Sequence, residues 1–70
     1  MDLWIEIGQR IRRVRERRRL SQGQLAKRLG LSRTSVVNLE QGRQRVPLDR
    51  IYDAARYMGV PVTRLLPKEA

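Results

Sequence analysis

The sequence predicts an all-α protein of five short helices in a single domain that spans residues 1–70. Apolar residues recur at intervals of three and four along most of the chain, which is the period of one helical face. Serines and glycines occupy positions that are typical of helix starts and helix ends. No segment alternates apolar and polar residues as a half-buried strand does. Seventy residues also leave room for only one core.

The first helix is expected over residues 3–19. Its apolar residues follow spacings of three, four and three, which places them on one face: Trp4, Ile7, Ile11 and Val14. Most arginines of this segment fall outside that stripe. Such an amphipathic helix is able to lie on a membrane surface. We favour packing against a core, because the stripe is narrow and the patterned segments that follow are able to cover it.

The second helix begins with a complete capping signal. Ser21 and Gln24 have the spacing of a capping box, in which each side chain bonds to the backbone N–H of the other residue. Leu20 and Leu25 stand at the flanking positions of the hydrophobic staple. Gly30 is expected to end this helix, because glycine adopts the left-handed conformation at low cost.

The third helix is predicted to start after a very short turn. Ser32 is its expected N-cap, and it should span about residues 33–41 with Val36 and Leu39 buried. Two short helices joined by a three- to four-residue turn that contains glycine are typical of a helix-turn-helix unit, which we place at about residues 21–41.

Two further helices are expected after a basic loop. Pro47 is expected at or near the first position of the fourth helix, where a missing N–H is tolerated. The buried face of this helix again follows spacings of three and four: Leu48, Ile51, Ala55 and Met58. Gly59 should end it, and residues 62–66 are expected to form a fifth helix of about one turn.

The composition is strongly basic. The formal net charge is +9, and fourteen of the sixteen basic residues are arginine. A guanidinium group donates two parallel hydrogen bonds to phosphate, so this composition favours a nucleic-acid partner. A solvated basic face that only keeps the protein soluble has the same composition, and the choice between the two therefore depends on a motif.

The composition also argues against several functional classes. The chain has no cysteine and no histidine, so disulfides and the common zinc ligands are not available. There is no glycine-rich phosphate loop, and Glu40, Asp49 and Asp53 are interpreted as helix charges. We expect no enzymatic activity, no metal and no cofactor.

The termini and the hydropathy predict where the protein works. Asp2 and Glu6 precede the first arginine, unlike a signal peptide, and no apolar run approaches the ~20 residues that cross a bilayer. We expect a cytoplasmic, nucleoid-associated protein without a membrane partner. Because the sequence stops after the fifth expected helix, we also expect no small-molecule ligand, with control by concentration, dimerisation or a partner.

Residues 21–42, SQGQLAKRLGLSRTSVVNLEQG, resemble the helix-turn-helix domains of phage repressor and Cro proteins, the lambda-repressor-like family. IGQRIRRVRERRRL resembles the first helix of that family, and the resemblance extends over about residues 7–66. A departure lies near Pro47, where the family usually has a serine or similar N-cap after the proline. The resemblance implies a five-helix lambda-repressor-like fold and a transcriptional regulator that binds specific double-stranded DNA sequences.

The resemblance implies that the N-terminal part of the third helix enters the major groove of DNA. The residues left on its outer surface are these: Arg33, Thr34, Val37, Asn38 and Gln41. Arg33 is able to donate two hydrogen bonds to guanine, and Asn38 is able to pair with adenine. Thr34 is a candidate for a base edge or a phosphate. Val37 is a candidate for a thymine methyl group, although single exposed valines are also common without such a role.

Contacts to the DNA backbone are implied as well. In the family the position of Gln22 makes such a contact, at a helix start whose free N–H groups favour an anion. The alternative for Gln22 is an ordinary first-turn residue. The other candidates lie at the two ends of the third helix and in the loop after it: Ser32, Gln41, Arg43 and Arg45. Arg10, Arg13 and Lys27 are weaker candidates, because their direction depends on packing.

Family members pair an acid near the end of the third helix with an arginine of the first helix. The matching positions are Glu40 and Arg15, so the resemblance implies a partly buried, structural ion pair. The alternative is two exposed and unpaired charges, which would contribute little to stability.

One such module contacts few base pairs, so specific binding favours a homodimer on a pseudo-palindromic operator with half-sites about 34 Å apart. Four residues are candidate dimer contacts because they are more apolar than a short end segment needs: Val60, Val62, Leu65 and Leu66. The alternative is that they complete the core. Leu3 and Trp4 are able to extend either surface.

Three biological settings fit this interpretation: a phage Cro or immunity-type repressor, a restriction-modification controller, and a toxin-antitoxin regulator. An antitoxin usually has a toxin-contacting segment, and none is evident. A different class is an adaptor whose basic face binds an acidic protein. The polar outer positions of the third helix argue against an adaptor, which usually presents aromatic or aliphatic anchors.

Overall fold

The computed structural model describes residues 2–68. Four α-helices follow one another: α1 (Leu3–Arg17), α2 (Gln22–Leu29), α3 (Arg33–Glu40) and α4 (Leu48–Met58). The described residues contain no strand, so the all-α prediction is confirmed. Within the same part of the chain, no helix combines the length and the apolar character that crossing a bilayer requires.

The prediction of a fifth helix is wrong. Val62–Arg64 forms a single 3-10 turn. Pro67 has no backbone N–H, so the next helical hydrogen bond, to the carbonyl of residue 63, does not form. The residue before a proline is also disfavoured in the helical conformation. Over residues 2–68 the fold therefore consists of four α-helices and one terminal 3-10 turn.

The capping signals of α2 and α3 are present as predicted. The Ser21 hydroxyl accepts from the Gln24 N–H at 3.0 Å, and the Gln24 side-chain oxygen accepts from the Ser21 N–H at 2.8 Å. The Ser32 hydroxyl accepts from the Ser35 N–H at 3.0 Å. Gly30 adopts the left-handed conformation, with φ of 67°. Local signals therefore determine where both helices of the helix-turn-helix unit begin and where the turn between them lies.

α1 ends two residues earlier than expected, at Arg17. The next turn contains Arg19 with φ of 57°. The Arg19 N–H donates to the Glu16 carbonyl at 3.0 Å, and the Leu20 N–H donates to the Arg15 carbonyl at 3.1 Å. These two bonds form a Schellman motif, which closes α1 and directs the chain into α2.

All four helices and the segment after α4 contribute to one core. Its buried members are Ile7, Ile11, Val14, Leu25, Ala26, Leu29, Val36, Leu39, Val46, Ile51, Ala54, Ala55, Met58 and Leu65. α3 packs against both α2 and α1, with Val36 and Leu39 fully buried. α3, the helix expected to enter the major groove, is therefore anchored by one face only, which leaves its other face for a partner.

The prediction that Leu48 belongs to the buried face of α4 is wrong. Pro47 is the N-cap, and Leu48 in the first turn remains 57% exposed. Ala54 is buried instead, so the buried face is centred between Ile51, Ala54 and Met58, and Leu48 lies at its margin.

Candidate nucleic-acid interface

The candidate base-contacting residues lie on the side of α3 that faces away from the core. Arg33 and Thr34 are exposed in the first turn, directly after the Ser32 cap. Val37 and Asn38 are half-buried, so part of each side chain remains accessible. An α-helix with its side chains is about 10–12 Å in diameter, which fits the width of the major groove of B-DNA, about 12 Å. The arrangement presents hydrogen-bonding groups along a short rod that fits this groove.

Arg15 and Glu40 form the ion pair that the resemblance implies. The Arg15 Nε donates to Glu40 Oε2 at 2.6 Å, and a terminal nitrogen of Arg15 donates to Glu40 Oε1 at 3.0 Å. Their side chains are only 10% and 2% exposed. The hydrogen bond with Glu40 raises the pKa of Arg15 above its usual value, an effect that burial opposes. The two-bond geometry holds α1 against the last turn of α3.

A third side chain completes this buried group. Gln22 donates its side-chain N–H to Glu40 Oε1 at 3.1 Å. Arg15 also donates to the Leu20 carbonyl in the loop before α2, at 2.8 Å. The end of α1, the start of α2 and the end of α3 therefore meet at Glu40, whose carboxylate accepts three hydrogen bonds.

The bond between Gln22 and Glu40 was not predicted from the sequence. The two residues are 18 positions apart, and no local pattern relates them. One of the two amide N–H groups of Gln22 bonds to Glu40, and within residues 2–68 the second has no protein acceptor. Gln22 is thus held rigidly beside the end of α3, close to the loop that follows it.

The remaining candidates for contacts to the DNA backbone differ in whether their side chains already bond within the protein. Gln41, Arg43 and Arg45 are exposed, and within residues 2–68 neither arginine has a carboxylate within 4.0 Å. The Ser32 hydroxyl caps α3 and also bonds to the Ser35 hydroxyl at 3.1 Å. Gln22 and the loop after α3 therefore flank one end of α3, and Ser32 lies at the other.

The weaker candidates separate into two groups. Arg10 is bound to Glu6 at 3.0 Å and lies 3.4 Å from the Arg64 carbonyl, so it connects α1 to the 3-10 turn. Arg13 and Lys27 are exposed. Arg10 therefore has a structural role. Within the described residues, neither Arg13 nor Lys27 makes an ion pair.

Residues 6–66 match a family described as a helix-turn-helix domain. The chain belongs to this helix-turn-helix family. The family is one of DNA-binding transcription regulators rather than of enzymes. The two helices of the helix-turn-helix motif are α2 and α3. α1 packs against α3, and α4 packs against α2.

Two curated relatives share this helix-turn-helix domain. A transcriptional regulator in the ATPase CF(0) region of Rhodospirillum rubrum is 39% identical over 56 residues, which are 80% of this chain and 52% of the relative. The immunity repressor protein of Bacillus phage phi105 is 33% identical over 63 residues, which are 90% of this chain and 44% of the repressor. This chain therefore spans about half the length of these curated relatives.

Solved structures have the same fold. The restriction-modification controller protein C.AhdI from Aeromonas hydrophila has a TM-score of 0.83 at 33% identity, with 90% of this chain and 91% of that chain covered. The DNA-binding domain of S. venezulae BldD has a TM-score of 0.80 at 26% identity, with 96% and 100% covered. The clp gene regulator ClgR from Corynebacterium glutamicum reaches 0.89 at 22% identity, with 93% and 69% covered, and supports the fold alone.

The candidate dimer contacts of this helix-turn-helix domain require a correction at Leu65. Its side chain is 0% exposed within the single chain, because it packs into the core beneath the 3-10 turn. It is therefore not available to a second copy. Val60, Val62 and Leu66 are half-buried and retain exposed apolar surface.

Proposed function

We propose that this chain is a transcriptional regulator that binds specific sequences of double-stranded DNA as a homodimer on a pseudo-palindromic operator. The observation that carries the proposal is the two-sided character of α3. Val36 and Leu39 fix one side in the core, and Arg33, Thr34 and Asn38 offer hydrogen-bonding groups on the other. Membership of the helix-turn-helix family supports the same function.

The proposed base contacts come from the outer face of α3. Arg33 donates two hydrogen bonds to guanine, and Asn38 pairs with adenine through its amide. Thr34 contacts a base edge or phosphate near the Ser32 cap, and the accessible part of Val37 contacts a thymine methyl group. Such contacts distinguish base pairs, whereas phosphate contacts do not.

The proposed backbone contacts come from both ends of the motif. Gln22 uses its second amide N–H, and Arg43 and Arg45 use guanidinium groups that have no carboxylate partner in the described residues. Ser32 and Gln41 lie at the two ends of α3 and complete the set. The buried Glu40 group positions Gln22 and does not itself touch DNA in this proposal.

Dimerisation follows from size as well as from affinity. α3 has eight residues and is about 12 Å long, which is much shorter than the spacing of about 34 Å between the centres of successive half-sites. One α3 therefore contacts one half-site, and a second protomer is needed for the other. We propose that Val60, Val62 and Leu66 contribute to the contact between protomers, with Leu3 at its edge.

The biological setting is proposed from the relatives. The phi105 relative is an immunity repressor, and the structural neighbour C.AhdI is a restriction-modification controller. We propose a regulator of one of these two kinds, which works on DNA in the cytoplasm.

Selection of bound duplexes from a random DNA pool tests this function. The expected result is an enriched inverted repeat whose half-sites are centred about one helical turn apart. An Asn38→Ala variant, selected in parallel, should return the same spacing with one base position relaxed. Recovery of an unenriched pool at every salt concentration would exclude sequence-specific binding and favour an adaptor that acts on protein.

A further inference from the structure

All four α-helices end with one residue in the left-handed conformation, and one of these residues is unusual. Gly30, Gly42 and Gly59 take this position after α2, α3 and α4, with φ between 67° and 74°. After α1 the residue is Arg19, with φ of 57°, the only non-glycine residue of positive φ in residues 2–68. This conformation is costly for a residue with a side chain and nearly free for glycine. The arginine side chain is therefore present at this turn at the expense of stability.

Arg19 belongs to a loop that is fixed to the helix-turn-helix motif. Arg15 donates to the carbonyl of Leu20, the next residue along the chain, at 2.8 Å. Arg15 is also paired with Glu40 at the end of α3, and Glu40 is bonded to Gln22 in the first turn of α2. The position of Arg19 relative to Gln22 is thus set by one buried and two partly buried hydrogen bonds rather than by a free loop.

The charge at this loop is not neutralised within the described residues. Arg17, Arg18 and Arg19 are exposed, and none of them has a carboxylate within 4.0 Å in residues 2–68. Glu16, the adjacent acid, is bonded to Arg12 at 3.2 Å. Three neighbouring cations repel one another, and binding of an anionic partner relieves this repulsion.

A structural role in the helix dipole does not account for Arg19. Cations near the C-terminal end of a helix are favourable, but Arg17 in the last turn and Arg18 at the C-cap of α1 already supply them. A glycine at residue 19 would keep this effect and would remove the conformational cost. No side-chain hydrogen bond or ion pair within residues 2–68 accounts for an arginine at this position.

We propose that Arg19 binds a DNA phosphate next to the one contacted by Gln22, so that the arginine run from Arg17 to Arg19 extends the DNA interface beyond α2 and α3. The inference rests on the DNA binding proposed above. In this interpretation Arg19 lowers the stability of the free protein, and it adds one charge-assisted hydrogen bond to the complex with DNA.

The test compares Arg19→Gly with Arg19→Lys by thermal melting and by titration with a random-sequence duplex over a range of salt concentrations. For Arg19→Gly we expect Tm to rise by about 4 °C, because the conformational cost disappears. We expect affinity to fall about tenfold for each protomer bound, since each protomer loses one charge-assisted bond. The salt slope should become shallower by about 0.9 for each protomer bound. Arg19→Lys keeps the charge and should keep the slope.

Arg56→Gln provides a matched control. It removes one arginine from the exposed surface of α4, where Arg56 is paired with Asp53 at 2.5 Å, and it should leave the salt slope unchanged. A higher Tm together with weaker binding in Arg19→Gly supports the inference. Substitution of a purely structural residue would change Tm and DNA affinity in the same direction. If the wild-type protein binds DNA and Arg19→Gly binds equally well, the inference is overturned and the proposed function stands. A wild-type protein that binds no duplex overturns both.

Discussion

Gly8 of α1 lies directly against the main-chain carbonyl of Leu39 in α3. A Cβ atom at residue 8 would collide with the backbone carbonyl oxygen of Leu39 and would come within 2.8 Å of the backbone carbonyl oxygen of Glu40. Arg15 follows Gly8 by seven residues, or about two helical turns, and so lies on the same side of α1. The close approach at Gly8 therefore brings α1 near enough to α3 for Arg15 to reach Glu40.

Gly8→Ala should destabilise the fold. Alanine improves helix propensity by about 1 kcal/mol, but the collision is with backbone atoms, which cannot move separately from α3. Overpacking of this kind costs up to about 3 kcal/mol, so we expect a net loss of about 2 kcal/mol, or about 10 °C in Tm. Thermal melting followed by circular dichroism measures the change.

Gly23→Ala is the matched control for Gly8. A Cβ at residue 23 of α2 has only the Ser21 hydroxyl nearby, at 3.8 Å, so the same substitution should raise stability by about 0.5–1 kcal/mol. Equal effects of the two substitutions would show that the contact between α1 and α3 is not tight.

Glu40→Gln should lower stability strongly. The glutamine retains an acceptor for one hydrogen bond but leaves the buried Arg15 charge without its counterion. Breaking a buried pair costs about 3–5 kcal/mol, and we expect about 3 kcal/mol because one acceptor remains. The control is Glu16→Gln, which removes the partner of an exposed ion pair and should leave Tm nearly unchanged. Similar melts for wild type and Glu40→Gln would mean that the ion pair contributes little.

Asn38→Ala and Arg43→Ala should separate base contacts from phosphate contacts. We expect Asn38→Ala to cost about 1–3 kcal/mol on the preferred operator and to relax the preference at one base pair. Arg43→Ala should weaken binding to specific and random duplexes alike, because phosphates are the same in both. Competition titrations with both kinds of duplex measure this, and parallel losses for the two variants would contradict the assignment.

The salt dependence of binding reports how many phosphates are contacted. With about five phosphates per protomer, a dimer should show a slope of log K against log salt near −9, and a single protomer a slope near −4.5. A titration from low to physiological salt distinguishes these values. A slope near zero would be incompatible with an interface built from arginines.

Val62→Gln should weaken dimerisation without unfolding the chain. Val62 is half-buried and contributes apolar surface next to the 3-10 turn, whereas its neighbour Thr63 is exposed. Sedimentation over a range of concentrations should show a larger dissociation constant for Val62→Gln than for the control Thr63→Gln. If both variants associate like the wild type, the dimer contact lies elsewhere.

Some features of the interface were accessible to sequence reasoning and others were not. Ser21, Gln24 and Ser32 act on N–H groups three residues away, so their pattern predicted the starts of α2 and α3. The pairing of Arg15 with Glu40 was implied only by resemblance to a family. Nothing in the local sequence indicated the bond from Gln22 to Glu40 or the role of Gly8.

The sequence alone determined the helical class, the short turn of the helix-turn-helix motif and the basic character of the surface. These depend on interactions within about one turn of the chain, or on composition. The tertiary structure alone decided that Leu65 is buried and Leu48 exposed, that α1 touches the backbone of α3 at Gly8, and that Gln22 joins the Glu40 group. Each of these depends on segments that are distant in sequence and meet only when the helices pack, so the local pattern cannot specify them.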